Sequence, residues 1–402
     1  MTMQKHSLLT LAAVSTMLLF TAPYSALAQE SFASCLSGLK SQAVSRGVSS
    51  ATFDQMMSGV QPDLKVIELM DNQPEFKTPI WDYLAALVDD EKIAQGKVML
   101  RQWSGALAQA EAKYGVDRHT IVAVWGVESD FGKLRGKWEL PQALSTLACY
   151  APRRRDYFKG ELFATMQIVQ RGDISANKLT GSWAGAFGHT QFMPSTYLRL
   201  AVDGDGDGRR DLVDSIPDAL HSTANFLKKA GWRTGASWGY EVALPSGYSG
   251  LSGRKSKEPV STWASRGITR IDGGALNGTE SAGLLLPAGR NGPAFLVFRN
   301  YDAAYSYNGA DSYALAISHL SDRLRGRDGF VTPWPTDDLP LSREERRELQ
   351  RLLTSRGYDV GEATGAIGPK TRAAVKDEQS RLGQQATGRA GSKILQALRG
   401  GL

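Results

Sequence analysis

The residue best suited to acid–base chemistry in this sequence is Glu128, which lies near the end of the mostly apolar segment 119–132. A helix there puts Glu128 on the same face as Ile121 and Trp125, and Gly132 then provides a stop. A carboxyl group facing a core is costly unless it is paired or protonated. Burial would raise its pKa, which suits a general acid near neutral pH. The alternative is a glutamate that reaches solvent at a frayed helix end.

A segment rich in small residues, 182–197, carries groups suited to binding a sugar. Its glycines let a backbone approach a ligand closely, although they would equally suit a tight helix crossing. The amide of Gln191 can donate to and accept from a hydroxyl or an N-acetyl group. Upstream, Arg153 and Arg154 precede Tyr157. Adjacent arginines commonly belong to a solvated surface. Because these two come just before an aromatic residue and downstream of Glu128, they could instead contact an anionic ligand.

Residues 203–214 have the spacing of a calcium loop. Carboxylates stand at positions 1, 3, 5, 9 and 12, and a glycine stands at position 6, where such loops turn sharply. Position 12 is Asp214 rather than the usual glutamate, and the nearby Asp218 could serve instead. We expect a structural Ca²⁺ here, because the carboxylates of an empty acidic loop would repel one another. The predicted metal-binding positions are Asp203, Asp205, Asp207, Arg209, Asp214 and Asp218.

The elements that must position these groups are mostly helical. Apolar periodicity predicts helices through most of the chain up to residue 232, including one long helix from Lys92 to Tyr114, and again from 312. Residues 240–300 are instead rich in Gly, Ser, Pro and short β-prone pieces, which predicts a small β-rich subdomain. The fold class is therefore mainly α, within α+β. Aromatic residues just before the helix at 312–320 would either line a carbohydrate groove or pack in the core.

The chain divides after residue 330. Residues 331–340 contain three prolines and predict a stiff linker. Beyond it, 341–402 predicts a small module of three short helices, the first opened by a capping box at Ser342 and Glu345. We expect the main domain to occupy 29–330, with a helical core at about 108–232.

The N-terminus has the pattern of a secretory signal peptide. Lys5 and His6 precede an apolar run, 8–20, and the small-x-small sequence before Gln29 predicts cleavage after Ala28. Lipoprotein anchoring is not expected, because the first cysteine lies too far beyond the apolar run. The chain of 402 residues has a net charge of +6, which suits a polyanionic partner. Nucleic acid is not expected, since no Lys/Arg-rich helix is present.

The two cysteines, Cys35 and Cys149, would form a disulfide in an exported protein, the alternative being two buried thiols. The bridge would close a loop of more than a hundred residues. The chain-entropy model gives such a loop about 4–5 kcal/mol of stabilisation.

Together these motifs resemble the lytic murein transglycosylases of the B family (glycoside hydrolase family 103), followed by a peptidoglycan-binding domain. The first resemblance covers about residues 32–320 and the second 341–398. The motifs that carry the first are Gly126-Val-Glu128-Ser-Asp-Phe-Gly132, Pro152-Arg-Arg154, Gly181-Ser-Trp-Ala-Gly-Ala-Phe-Gly188, Gln191-Phe-Met-Pro194, the acidic loop and Tyr307-Asn308. The second rests on Leu349-Gln350, Gly357-Tyr358, Gly365, Ile367-Gly368, Thr371 and Val375.

The resemblance implies a lysozyme-like helical catalytic domain in which Glu128 is the single catalytic carboxylate and no cofactor takes part in catalysis. Such enzymes cleave the MurNAc–GlcNAc β-1,4 bond of peptidoglycan without water and leave 1,6-anhydro-MurNAc ends. Carried over by position, Ser182 and Gln191 would contact the sugars, and Phe192 and Met193 would form a wall near the cleavage point. The remaining groove residues would be Arg153, Arg154, Tyr157, Tyr307, Asn308 and Tyr313, with the two arginines meeting carboxylates. His189 stands where the family often has tyrosine.

The signal peptide predicts a periplasmic location, and we expect a monomer. The resemblance implies that the partners are peptidoglycan glycan strands, and cell-wall synthesis or hydrolysis complexes are further candidates. The C-terminal module would tether the enzyme to its polymer. One alternative function is a hydrolytic muramidase, with Asp130 or Asp156 as the base that activates water. The other is a non-catalytic peptidoglycan-binding scaffold.

Overall fold

The computed structural model describes residues 24–71 and 77–400, with side chains from Phe32 onwards. The signal-peptide prediction concerns residues 1–28, most of which lie outside the described part. Among the described helices, none has both the length and the apolar composition needed to cross a bilayer.

The helices follow one another along the chain as α1 (Tyr24–Ser45), α2 (Ser50–Met57), α3 (Lys65–Glu68), α4 (Ile80–Leu87), α5 (Asp90–Gln102), α6 (Ser104–Tyr114), α7 (Arg118–Ser129), α8 (Leu140–Tyr150), α9 (Arg155–Gln170), α10 (Pro194–Leu200), α11 (Ile216–Lys229), α12 (Val260–Ser265), α13 (Arg299–Asn308), α14 (Asp311–Leu324), α15 (Arg343–Ser355), α16 (Pro369–Arg381) and α17 (Ser392–Arg399). Short 3₁₀ turns lie at Leu69–Asp71 and Ala176–Lys178. The strands are β1 (Trp138–Glu139), β2 (Thr180–Gly181), β3 (Gly239–Ala243), β4 (Gly253–Pro259), β5 (Thr269–Arg270), β6 (Ser281–Leu285) and β7 (Ala294–Val297).

The helix that carries Glu128, α7, lies at the centre of the largest core. It begins at an Asp117 cap, whose carboxylate accepts from the backbone N–H groups of His119 (2.8 Å) and Thr120 (3.3 Å). Every residue from 120 to 126 is buried. The helix ends at Ser129, three residues before the predicted stop, because Asp130 takes a left-handed conformation with φ 50°.

α7 and α14 run antiparallel and are bonded to each other at both ends. At one end the Tyr313 hydroxyl donates to Glu128. At the other, the hydroxyls of Thr120 and Ser321 share a hydrogen bond of 2.9 Å. These two contacts fix how far one helix can slide along the other, and therefore where Glu128 sits.

The single long helix predicted from Lys92 to Tyr114 is wrong. The chain bends at Trp103 (φ −104°, ψ 22°), which separates α5 from α6. The bend allows the first half to pack on α7 and the second half on α11. Periodicity alone could not reveal this, because both halves keep an apolar face.

A second core forms where α8 packs against both α9 and the N-terminal helix α1. The structure contains the disulfide between Cys35 of α1 and Cys149 of α8, with Cα atoms 6.0 Å apart. Beside it, the rings of Phe32 and Tyr150 stack at 5.9 Å. The first helix is thus fastened to α8 by both a covalent bond and packing.

The β-rich subdomain is a five-stranded antiparallel sheet in the order β4-β6-β7-β3-β5. Val242, Leu284 and Leu296 are buried with Trp263 of α12 in the core of this subdomain. The Trp263 indole donates to the Ala282 carbonyl at 2.8 Å, so its polar atom is satisfied in that core.

The three C-terminal helices share a core of their own and also dock on the main domain. The core includes Leu349, Leu353, Val375 and Ile394. The docking contacts are ion pairs from Arg343 to Asp89 (2.9 Å), Arg347 to Glu91 (2.8 Å) and Arg389 to Asp82 (2.6 Å), and a hydrogen bond from Arg346 to the Ala85 carbonyl (3.0 Å). The segment that joins the two parts is also held, since Glu241 accepts from the backbone N–H groups of Val331 and Thr332 at 2.7 and 2.8 Å.

Candidate active site

Glu128 is half-buried at the end of α7, and Tyr313 lies against it. The Tyr313 side chain is 2% exposed, and its hydroxyl donates to Oε1 of Glu128. Burial, together with the nearby Glu128, raises the pKa of Tyr313 well above its usual value. The hydroxyl therefore remains a donor at any physiological pH. The structure places Tyr313 as a buried partner of Glu128 rather than as an open groove residue.

The turn after Glu128 is held by Ser129 and by His189 from a neighbouring loop. The Ser129 hydroxyl donates to the His189 carbonyl (2.5 Å) and accepts from the Gly132 N–H (2.9 Å). A Cβ on Gly132 would lie 2.4 Å from the His189 ring, so only glycine fits there. The His189 ring is buried, and Nδ1 accepts from the Trp125 indole at 3.2 Å. Burial lowers the pKa of His189 to about 4, so it supports this turn as a neutral group.

Lys92 of α5, which sequence analysis missed, is buried beneath the same turn. Its Nζ donates to the Gly126 carbonyl at 2.9 Å and lies 3.1 Å from a carboxylate oxygen of Asp130. Burial lowers the pKa of Lys92, while Asp130 favours its charged form. A lysine in the first turn of a helix is usually solvated. Nothing local in the sequence therefore distinguishes this one, whose partners lie more than thirty residues away.

An aromatic cluster joins Glu128 to the predicted groove residues. Tyr307 stacks on Tyr313 at 6.2 Å and contacts Phe192 at 5.8 Å, and its hydroxyl donates to the Thr190 carbonyl at 2.7 Å. Phe192 is 1% exposed and so forms part of the floor. Met193 is half-buried and Asn308 is exposed, so these two can meet a ligand.

The loop that carries Gln191 is shaped by its own hydrogen bonds. Gln191 has φ 49°, and its amide donates to the carbonyls of Gly188 (2.8 Å) and Arg135 (3.1 Å). Ser182 accepts from the Ala186 N–H at 3.0 Å. A left-handed conformation at a non-glycine residue costs about 1–3 kcal/mol and is often found at binding sites. A cleft of about 230 Å³ lies beside this loop, lined by Arg135, Asn177, Lys178, Thr180, Gly188, Val213 and Asp214.

The arginines predicted to meet carboxylates have partners within the protein. Arg153 donates to Asp71 at 2.6 Å and to the Met70 carbonyl at 3.0 Å. Arg154 lies over the Tyr157 ring at 4.3 Å. Burial raises the pKa of Tyr157 to about 12.

In the acidic loop, Asp203, Asp205 and Asp218 each bring a carboxylate oxygen within 4.8 Å of the others. Asp207 instead pairs with Arg209 at 3.2 Å, and Asp214 pairs with Lys178. Hard oxygen ligands at this spacing suit Ca²⁺. The structure thus favours Asp218, in the first turn of α11, over Asp214 as the residue that closes the site.

The two carboxylates considered as hydrolytic bases are both engaged elsewhere. Asp130 has a side chain 12% exposed and pairs with Lys92, while Asp156 is 93% exposed and pairs with Lys159 at 3.0 Å.

Two parts of the chain match known protein families. Residues 31–322 match the family model described as the transglycosylase SLT domain, and residues 342–398 match the one described as a putative peptidoglycan binding domain. The membrane-bound lytic murein transglycosylase B of Escherichia coli (strain K12) is 34% identical over 274 residues, which cover 64% of this chain and 73% of that protein.

Solved structures agree with this similarity. SltB3 from Pseudomonas aeruginosa in complex with NAG-anhNAM-pentapeptide is 42% identical, with a TM-score of 0.73 over 92% of this chain and 99% of that one. The Escherichia coli lytic transglycosylase Slt35 in complex with calcium is 30% identical, with a TM-score of 0.65 over 72% of this chain and 92% of that one. The likeness confirms the predicted mainly helical, lysozyme-like fold.

Proposed function

Since the chain belongs to the transglycosylase SLT family and is a peptidoglycan lytic transglycosylase, we propose that Glu128 is its single general acid and base. The observation that carries this proposal is the position of Glu128. It ends a buried helix, receives the Tyr313 hydroxyl and faces the aromatic cluster that leads to Met193 and Asn308.

The bond to be cleaved is the MurNAc–GlcNAc β-1,4 linkage. Glu128 first gives its proton to the glycosidic oxygen, so that the bond from the muramic C1 breaks and the GlcNAc O4 leaves as a hydroxyl. The muramic N-acetyl group is the partner for the developing positive charge at C1. Glu128, now a carboxylate, then accepts the proton of the muramic C6 hydroxyl while O6 bonds to C1. The product is a 1,6-anhydro-MurNAc end, and Glu128 is protonated again.

This reaction needs one carboxyl group, whereas a hydrolase needs a second group to activate water. The engagement of Asp130 with Lys92 and of Asp156 with Lys159 supports the water-free reaction over a muramidase. The position of Glu128 at the end of a buried helix, with the Tyr313 hydroxyl bonded to it, supports an enzyme over a non-catalytic scaffold.

Around the acid, we assign the substrate contacts to Ser182, Gln191, Phe192 and Met193 on one side and to Tyr307 and Asn308 on the other. Phe192 and Tyr307 would form the floor, and Met193 and Asn308 would touch the sugars. Arg153, Arg154 and Tyr157 would lie at the edge that meets lactyl or peptide carboxylates. In that case an incoming carboxylate would compete with Asp71 for Arg153.

We also assign a structural Ca²⁺ to Asp203, Asp205 and Asp218, since the relative Slt35 was solved with calcium. The ion would neutralise the loop and join it to α11, outside the chemical steps.

We also propose a function for each part of the chain. We assign catalysis to 29–330, the connection to 331–340 and glycan-strand binding to 341–402. The signal-peptide pattern and the disulfide support a periplasmic location, where we propose that the protein acts as a monomer.

The test is Glu128→Gln, assayed by release of soluble fragments from purified sacculi and by mass spectrometry of the products. We expect a loss of about 10²–10⁴-fold, since the amide can neither give nor take the proton. The wild-type products should be lighter by one water molecule than those of a muramidase. Glu139→Gln is the matched control, because Glu139 is exposed. Retained activity in Glu128→Gln, or hydrated products from the wild type, would disprove the assignment.

A further inference from the structure

Lys92 contacts the backbone segment around Glu128 on both sides. Its Nζ donates to the carbonyl of Gly126, two residues before the acid, and pairs with the carboxylate of Asp130, two residues after it. The Lys92 side chain is 4% exposed. Both contacts are made by one buried ammonium group, so Lys92 of α5 fixes the final turn of α7.

The cost of burying this group indicates that its position matters. An ammonium group removed from water costs several kcal/mol, which a partner repays only when the geometry is good. Cationic groups are favourable at a helix C-terminus, and Lys92 meets α7 there. The Gly126 carbonyl accepts from Nζ at 2.9 Å in addition to the backbone N–H of Asp130 at 3.1 Å. An apolar residue could fill the same volume, but it could not hold the Gly126 carbonyl or the Asp130 carboxylate.

Lys92 is itself held in place by its own helix. Its backbone N–H donates to the Asp89 cap at 2.9 Å, which fixes the first turn of α5. One turn further on, a Cβ on Gly96 would lie 2.6 Å from Leu324 and 3.2 Å from Phe131. α5 is therefore packed closely against both α14 and the turn after Glu128, and it offers Lys92 a fixed support.

We propose that Lys92 is a positioning residue for the Glu128 carboxyl group. The inference rests on the proposed role of Glu128 as acid and base. That role requires the carboxyl group to reach first the glycosidic oxygen and then the C6 hydroxyl. Both must come within hydrogen-bond distance, and a displacement of about 1 Å can lower a rate about 100-fold. Lys92 restrains the backbone that sets both distances.

The test compares full-length Lys92→Met, Lys92→Arg and the double variant Lys92→Met with Asp130→Asn. Turnover is measured on a soluble muropeptide, while calorimetry with the same ligand gives Kd and the fraction of binding-competent protein. We expect kcat per competent molecule to fall about 10- to 100-fold in Lys92→Met, with Kd changed by less than about two-fold. Lys92→Arg should recover part of kcat, because its donors can reach the same acceptors.

The double variant separates positioning from stability. It leaves no unpaired buried carboxylate, so its melting temperature should recover while its kcat stays low. Lys133→Met is the matched control. Lys133 is a second lysine near Asp130, with Nζ 4.0 Å from its carboxylate, but its side chain is 54% exposed. This variant should therefore behave like the wild type. Wild-type kcat in Lys92→Met, or recovery of kcat together with stability in the double variant, would overturn the inference. Activity in Glu128→Gln would instead overturn the assignment of the acid.

Discussion

At the scale of single residues, the hydroxyl of Tyr313 decides how the Glu128 carboxyl group is oriented. It donates to Oε1, and burial keeps it protonated. A donor to one oxygen stabilises the carboxylate and directs its other oxygen towards the substrate.

Tyr313→Phe keeps the ring but removes this donor. We expect kcat to fall about 10- to 100-fold, since the carboxylate formed after the first proton transfer loses a hydrogen bond. Steady-state kinetics on a soluble muropeptide measures the effect. Tyr301→Phe is the control: it removes another buried hydroxyl, which bonds to the Asp311 carbonyl at 2.8 Å. It should cost about 1 kcal/mol of stability and leave kcat unchanged. Equal kcat losses in the two variants would contradict the role given to Tyr313.

The helical register that puts Glu128 beside Ile121 and Trp125 could be predicted because it is local, whereas its proposed role as the acid depends on the other motifs as well. The contacts of Lys92 with Gly126 and of Trp125 with His189 could not be predicted. Each depends on how separate helices and loops pack. His189 illustrates this: the sequence shows only that it stands where the family often has tyrosine, whereas its ring is buried under the turn.

At the scale of elements, the acidic loop and the first turn of α11 act together. Ser215 caps α11 and its hydroxyl also donates to Asp205 at 2.7 Å, which brings Asp218 towards Asp203 and Asp205. A bound Ca²⁺ would therefore tie the loop to a helix that packs on α7.

We expect calcium to raise the melting temperature of the wild type, because a ligand at 100 times its Kd stabilises by about 2.7 kcal/mol. Asp205→Ala should lose most of that increase, because it removes the ligand oxygen. Asp207→Ala should keep it, since Asp207 pairs with Arg209. Thermal unfolding with calcium and with a chelator provides the measurement. An increase that survives in Asp205→Ala would exclude this set of ligands.

Element by element, the predictions were open or wrong where a local pattern does not contain the answer. The spacing in 203–214 predicted a cation site but left Asp214 and Asp218 open, because the choice depends on where α11 begins. The bend at Trp103 was missed because it reflects packing on two different helices.

At the scale of the whole molecule, three histidines, His189, His221 and His319, make stability depend on pH, because burial lowers the pKa of each. Burial lowers the pKa of both His189 and His319 to about 4, from an ordinary value of 6.5. Repulsion from Arg323 adds to the effect at His319.

The unfolded chain binds protons at these two histidines as the pH falls through 6.5, and the folded protein does not until about 4. The free energy of unfolding should therefore be fully retained above pH 6.5 and fall towards pH 4, by about 1.4 kcal/mol per pH unit for each histidine. Denaturant unfolding of the wild type and of His189→Gln with His319→Gln measures the difference. A difference that stays constant across this range would refute the prediction.

The division of the chain into a helical domain, a sheet and three terminal helices was accessible to composition and periodicity. The docking of the terminal helices was not. Arg343 and Asp89 are 254 residues apart, and each looks like an ordinary surface charge in its own segment.

A glycan strand gripped both by the groove and by the C-terminal helices pulls these two parts in different directions. A flexible linker between the two parts would extend under that force and would not transmit it. Here Glu241 holds the start of the connection, and the ion pairs of Arg343 and Arg389 join the terminal helices to α5 and α4. We expect force on such a strand to reach Asp89, the cap of the helix whose Lys92 supports the turn of Glu128. Mechanical tension in a bound strand would then change the position of the proposed acid.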